Sequence, residues 1–442
     1  MKFRGLLIAA VVLAVLGGLL YWSNRHKEME PPPTVSKSPT IVRVTPADVA
    51  SLTVQQKGQA PVTATRQGSQ WRITAPKPYP ADSSTVTAIL TSLQPLLADQ
   101  VVEDKAANLA TFGLADPAVT VALTSKNNKT DKLLVGDDTP AGSDVYVALA
   151  GDPRVFTAAS YIKTSLSKSL DDLRDKRLLP VASSSVTTID LTRKGQQIAF
   201  GRVQNGWQIQ KPKPYRTDTF QVDDLLEQAV GAKWDPAVTV EDATKDFAKA
   251  TPVAALKLTG SSGTDTLEVR KDKDNDYYAK STAISGTYKV DSTVATALGE
   301  ALGRGLDDFR NKQLFDFGYN DPDKIEYQAG ATDLVLTHSG NSWTSNGKTM
   351  DTDSAEQVVT ALRDLAAAKF VDTGYTKPDI EVTVTSGGGR KVVKVGIQTA
   401  KDGSAIAKRD DGPSLYSLDS VTLEGLTSAV KGVKPAAPPK KK

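Results

Sequence analysis

The sequence predicts an α+β fold: three tandem repeats of mostly antiparallel sheet with flanking helices, preceded by one N-terminal transmembrane helix. Three observations predict it. Indoles recur at Trp71, Trp207 and Trp343, 136 residues apart each time. Short alternating β segments are divided by Gly-Ser, Asn-Gly and Gly-Asn pairs just ahead of those indoles, a strong hairpin signal. An uncharged apolar run, Gly5 to Trp22, opens the chain.

That run has 18 residues; at ~1.5 Å per residue it makes a helix of about 27 Å, close to the ~30 Å hydrocarbon core of a bilayer. Tyr21 and Trp22 stand at its far end, where amphipathic rings favour the interface. No Ala-x-Ala pattern follows, so an uncleaved signal anchor (residues 1–27) is favoured over a leader cut near Ser23. Lys2, Arg4 and the amino terminus outweigh Arg25 and Lys27, which Glu28 and Glu30 offset. The positive-inside rule then puts the N-terminus in the cytoplasm and the body outside it, on a single-pass protein of the cytoplasmic membrane. Residues 28–40, EMEPPPTVSKSPT, read as a semi-rigid Pro-rich linker, and residues 434–442 as a disordered basic tail.

At ~150 residues per domain, 442 residues suggest about three globular units. Repetition places them at 41–180, 181–316 and 317–433. Pro76-Lys77-Pro78-Tyr79 recurs as Pro212-Lys213-Pro214-Tyr215, and Leu170–Lys176 (LDDLRDK) as Leu306–Lys312 (LDDFRNK), both at the offset of the indoles. A period this long means tandem domains rather than a solenoid. Within the first unit the pattern predicts strands at Val49–Gln55 and Val62–Arg66, then the Trp strand. A helix with an acidic N-cap comes next: Asp82, and in the later units Asp218 and Asp353. Strands follow at Ala118–Thr124, Lys132–Val135, Val145–Leu149 and Arg154–Thr157, with counterparts at Ile380–Thr385, Lys391–Val395, Ile406–Lys408 and Ser414–Ser417. A helix from Tyr161 closes the unit and runs into LDDLRDK.

Composition excludes more chemistry than it suggests. Cysteine is absent, which removes disulfides, thiolate metal sites and cysteine nucleophiles. Histidine occurs only at His26 and His338, too few for a multi-histidine metal site. The net charge of +3 resides in the ends: residues 1–40 carry five cations against two acids, and residues 431–442 five lysines and no acid, leaving the body at −5. An acidic body is a poor footprint for nucleic acid.

The stretch Thr111-Phe112-Gly113-Leu114-Ala115-Asp116-Pro117, followed by Leu133–Asp137 (LLVGD), Val145-Tyr146-Val147 and Leu173–Leu179 (LRDKRLL), resembles the bacterial family called domain of unknown function 4340. The third unit has a worn version in Thr373–Asp379 and Val393–Gly396. The second departs most, with Phe247–Pro252 and no Gly-Leu pair. The resemblance implies a membrane-anchored envelope protein without assigned activity, often found beside ABC-type transport and gliding-motility-like components.

Each candidate site has a plainer reading. The three tryptophans could be sugar-stacking platforms, but a Trp opening the second strand of a hairpin is usually a packing residue. Asp171, Asp172, Asp175, Asp307 and Asp308 could supply a hydrolase's paired carboxylates. On a helix, however, Asp172 would pair with Lys176 and Asp171 with Arg174, with Asp308–Lys312 and Asp307–Arg310 repeating this. Asp272–Asp276 alternates acids as a calcium loop does, but lacks its glycine and glutamate, so a polar turn is expected. Gly387-Gly388-Gly389 matches no phosphate loop, and Ser165-x-x-Lys168 is an isolated fragment of a serine-enzyme motif. His338 stands where the other units have Arg66 and Arg202 and is expected to face outward. We nominate no catalytic, cofactor-binding or metal-binding residue and expect no cofactor, no nucleic-acid partner and no small-molecule ligand. The expected role is a non-enzymatic scaffold or accessory subunit, tied to the membrane through Gly5–Trp22 and to a protein partner in a membrane complex. A polysaccharide-binding module and a carboxylate-dependent hydrolase are the alternatives.

Overall fold

Alternation along the strands sets the architecture. Strand Val49–Gln56 buries Val49, Leu52 and Val54, and strand Val119–Ser125 buries Val119, Val121 and Leu123, so each presents one apolar face. The computed structural model describes residues 38–261 and 263–438, with Val15, Gly17, Gly18, Tyr21 and Trp22 ahead of them. Those five are helical and exposed. The rest of the expected anchor, residues 28–37 of the linker and residues 439–442 of the tail lie outside the described residues. No described helix is long and apolar enough to cross a membrane.

The chain divides into two compact units after Asp175. In the first, nine antiparallel strands lie in the order Tyr79–Pro80, Gln70–Ala75, Val62–Gln67, Val49–Gln56, Val119–Ser125, Thr130–Asp138, Asp144–Leu149, Val155–Ala159, Gln100–Glu103. Helices α1 (Ser83–Ser92), α2 (Tyr161–Leu166) and α3 (Leu170–Leu173) cover one face, where Val86, Ile89, Ile162 and Leu166 join Leu52, Trp71 and Phe156 in one core. On the other face Phe112 and Leu114 pack on Ala148 and Val155.

The second unit holds two sheets. One runs Gly206–Lys211, Gln196–Val203, Val186–Arg193, Thr251–Gly260, Gly263–Lys271, Tyr277–Ser281, Thr287–Lys289; the other starts at Lys348–Thr349 and Ser342–Ser345 and ends at Leu415–Leu418 and Lys369–Val371. Helices α4 (Thr219–Gly231) and α6 (Ser292–Gly303) serve the former, α7 (Thr352–Arg363) and α8 (Ser420–Gly432) the latter, each pair with its own core. Helix α5 (Val240–Lys249), which the sequence pattern did not reveal, lies between α4 and α6 in the chain and sets Ala243 and Phe247 against Tyr278 on the opposite face. An α+β fold of mostly antiparallel sheets is thus what the chain adopts.

Asp82 and Asp218 cap α1 and α4 as expected, accepting the amides of Ser84 (2.9 Å) and Phe220 (3.1 Å). The cap of α7 is Asp351, not Asp353: the Asp351 carboxylate accepts the Ser354 amide at 3.0 Å, so Asp353 already lies in the first turn. The linker and tail are shorter than their composition suggests. Thr40–Val42 pairs with Leu96–Leu97, and the Asp351 amide donates to Lys434 O at 2.9 Å while Ala436 donates to Thr349 O at 3.0 Å. Backbone pairing therefore orders residues that proline and lysine content marks as loose.

Beside the second sheet, Arg304 Nη2 donates to Asp224 on α4 at 2.6 Å and Arg304 Nη1 to Gln221 O at 3.2 Å. The Arg304 hydrogen bond holds the Asp224 carboxyl below the usual range, helped by the Gln228 amide and opposed by burial. A carboxyl lowered on folding adds stability above its unfolded value of ~3.9 and loses it as pH falls further. Asp224→Asn should therefore flatten the decline of urea stability below pH ~4, and cost about 1 kcal/mol at neutral pH for so partly exposed a pair. An unchanged acid limb in urea titrations at several pH values would refute this.

Candidate functional site

The residues that recur along the chain are the natural candidates, and the structure puts them into the packing. Trp71, Trp207 and Trp343 are 4%, 3% and 0% exposed. No face is left for a sugar ring, so the polysaccharide-platform alternative ends here. On Trp71 lies the Arg66 guanidinium, 4.6 Å from the ring centroid; on Trp207, that of Arg202 at 4.3 Å; on Trp343, the His338 ring, stacked at 4.5 Å. His338 is half-buried against the indole rather than simply outward. The following helix supplies an acceptor for two indole N–H groups: Asp223 to Trp207 at 2.8 Å and Glu356 to Trp343 at 2.9 Å.

The second recurring element, the LDDLRDK run, is not a continuing helix. Helix α3 stops at Leu173, and Arg174 is extended. Lys176 is therefore not one turn beyond Asp172, and the expected i,i+4 geometry is absent. Asp172 instead closes a capping box with Ser169, accepting its amide at 2.9 Å, and Asp308 accepts the Gly305 amide at 2.7 Å. The expected Asp171–Arg174 and Asp307–Arg310 pairs do form, at 3.2 and 2.8 Å.

In the second unit this segment joins two sheets. Asp218 N donates to Phe309 O (2.8 Å) and Asn311 N to Arg216 O (2.9 Å); three residues on, Leu314 N donates to Leu365 O (2.9 Å) and Ala367 N to Lys312 O (2.8 Å). Arg310, only 8% exposed, lies between the Tyr215 ring (4.2 Å) and the Phe370 ring (3.5 Å). It also donates to Ser414 Oγ at 2.9 Å. Its Nε–H is buried without an acceptor. Nearby, Arg409 donates to Leu314 O and to Asp411, whose carboxyl this hydrogen bond holds below the usual range.

An open cleft of about 660 Å³ flanks this joint, lined in part by Asp218, Glu300, Arg304 and Asp308. Asp218 and Asp308 are both engaged by backbone amides, Asp218 by that of Phe220 and Asp308 by that of Gly305. Hydrolysis by paired carboxylates needs two acids free to flank one bond, and two of the acids lining this cleft already serve the backbone as the α4 cap and the Gly305 turn.

The remaining candidates are turns. Asp272 accepts the amides of Asp274 and Asp276, both at 2.9 Å, making the polar loop expected. Beside it, burial and the neighbouring aspartates push the Tyr278 hydroxyl up to about 12. Gly387, Gly388 and Gly389 all have positive φ (66°, 69° and 81°) and form a hairpin tip. Ser165 lies in α2, but that helix ends at Leu166, so Lys168 does not follow Ser165 one helical turn later. Among the described residues no group of three acids and histidines is arranged to hold a metal.

Motif glycines have the same packing character. Gly113 has φ 66°, and a Cβ there would collide with the Asp137 carboxyl; one on Gly136 would collide with Phe112 O. The Phe-Gly-Leu turn and the Val-Gly-Asp strand are thus two halves of one close contact. A sequence profile described as Domain of unknown function (DUF4340) matches residues 71–229 and 207–379, more than half of the chain. The chain belongs to the DUF4340 family. Both matches begin on an indole, at Trp71 and Trp207, so the DUF4340 profile follows the period read from the sequence. No curated protein and no solved structure matches the chain.

Truncating Trp343 to alanine should cost about 3–5 kcal/mol of unfolding free energy, as for other fully buried aromatic residues. A loss below 1 kcal/mol in urea titrations would contradict the packing role. Arg310→Ala should cost about 2–4 kcal/mol, and Arg310→Lys should restore less than half of that, because an ammonium cannot stack between two rings while bonding Asp307 and Ser414. Full rescue by lysine would show that charge alone suffices.

Proposed function

We propose that this DUF4340 protein is a non-enzymatic, membrane-anchored envelope protein made of one triplicated unit, acting as a scaffold or accessory subunit of a membrane complex. The carrying observation is that what the three sheets have in common is devoted to packing. The buried indoles, the cap aspartates and the backbone-paired closing segments hold the fold, and where Asp218 and Asp308 reach an open cleft their carboxylates are spent on backbone amides. The shared strand order of the sheets and the offset of 136 residues support triplication. The apolar segment Gly5–Trp22 supports tethering, with the acidic body outside the cytoplasm. The association implied by the family resemblance favours an ABC-transporter complex.

Crosslinking in native membranes followed by affinity purification should recover one reproducible integral-membrane partner; recovery of none would overturn the scaffold role. A C-terminal alkaline phosphatase fusion should be active. Activity only from a cytoplasmic reporter at that position would reverse the topology.

A further inference from the structure

The first sheet has a cavity of about 390 Å³ where strand Val49–Gln56 begins and the hairpin Val119–Ser125/Thr130–Asp138 turns. Its floor is apolar: Val44, Val49 and Leu123, all buried. Arg43, Lys126 and Lys129 line its rim with Asp48 and Asp131. Lys129 is paired with Asp131 at 3.1 Å. Arg43 and Lys126 pair with no carboxylate among the described residues.

The same corner of the third sheet shows what it can accept. There Asp323 precedes strand Lys324–Ala329, and its carboxylate accepts the amides of Gly388 (2.8 Å) and Gly389 (3.0 Å) at the tip of the matching hairpin. An anion from the chain itself thus closes that corner. In the first sheet Ala50 holds the register of Asp323, since Ser51 pairs with Thr65 and Thr124 as Lys324 pairs with Thr337 and Thr385, so no carboxylate faces the tip from that position, and the tip folds on itself. Ser125 N donates to Lys129 O and Asn128 N to Ser125 O, both at 2.9 Å, while Lys126 N takes the Asp48 backbone carbonyl at 2.8 Å. The Asp48 carboxylate is not drawn into the tip, and the corner stays open.

We propose that this corner binds a phosphate ester, its anionic group held by Arg43 and Lys126 and its apolar part resting on Val44, Val49 and Leu123. A guanidinium suits the planar, bidentate recognition of phosphate oxygens. Two sources share this chemistry: the headgroup of an anionic phospholipid and a soluble organophosphate. Arg43 follows Trp22 by 21 residues, a link that can span up to ~70 Å, so a bilayer surface is within reach. The lipid source rests on the membrane-anchor reading; the soluble source does not.

The test uses the full-length protein and follows acetylation of the Lys126 amine by mass spectrometry, with Lys257 on the second sheet as reference. One arm adds inorganic phosphate or glycerol 3-phosphate to the protein in non-ionic micelles. The other compares nanodiscs of phosphatidylcholine alone with discs containing phosphatidylglycerol. Occupancy should slow Lys126 acetylation about fivefold relative to Lys257, and Arg43→Ala should abolish that protection, while Arg43→Lys keeps part of it and both variants keep the wild-type melting temperature. Protection by glycerol 3-phosphate in micelles identifies a soluble ligand, and protection confined to phosphatidylglycerol discs a headgroup. Equal acetylation in every arm, or protection that survives Arg43→Ala, overturns the site. Failure to co-elute with the discs counts against the anchor instead, and the micelle arm then decides the pocket.

Discussion

The second unit depends on one short antiparallel exchange. Phe309 and Asn311 pair with the residues that lead into α4, and Lys312 and Leu314 pair with those that follow α7. Six residues of backbone thus satisfy both sheets at once, and that placement leaves Arg310 only 8% exposed. The cation is tolerated because two aromatic faces, a carboxylate and a hydroxyl replace its hydration. The compensation is incomplete, since Nε–H has no acceptor, and an unmet buried donor costs about 1–3 kcal/mol. A well-packed apolar residue could match it in stability. What the arginine adds is direction: a planar fork that bonds only when the two sheets hold one relative geometry.

The indoles follow a related logic on a smaller scale. Each is too large to leave exposed, and each carries a flat polar group over one face, Arg66, Arg202 or His338. Arg66 also donates to Val49 O and Pro46 O, at 3.0 and 2.8 Å, so the group covering the ring ties down the start of the neighbouring strand as well. The third sheet achieves the same cover with a histidine, a ring stacked on a ring. What persists is the shape of the contact rather than the identity of the charge.

How much of this was legible depended on the range of the interaction. Strand positions, the caps Asp82 and Asp218 and the ion pairs Asp171–Arg174 and Asp307–Arg310 follow from neighbours in sequence, and the pattern showed them. Asp351 and Asp353 are both acidic residues at the start of a helix, and only the backbone trajectory makes the first the cap and puts the second in the first turn. Helix α5 escaped because its apolar face is narrow, Ala243 and Phe247 among charged residues, although Thr239 and Asp242 form a capping pair at its start. The LDDLRDK run carries helical charge spacing, yet its second half is claimed by strand-like pairing with distant residues. No local signal encodes that. The open corner beside Asp48 was equally hidden, because it depends on whether a hairpin tip bonds to itself or to a carboxylate some 65 residues away in the third sheet's counterpart.

These ranges also explain why membership of the DUF4340 family is easier to establish than activity. The motif that carries the likeness works through Gly113 and Gly136, whose missing side chains let a turn lie against a strand. A chain can keep that contact and change everything it presents to other molecules, so the motif reports fold and not function. Function is better sought where the sheets differ: the helix α5 added to the second, the carboxylate-sealed corner of the third, and the open, cation-rimmed corner of the first. On the triplication proposed above, a residue recurs where packing requires it. Departures from the common pattern are therefore the positions where the three sheets can have acquired separate tasks.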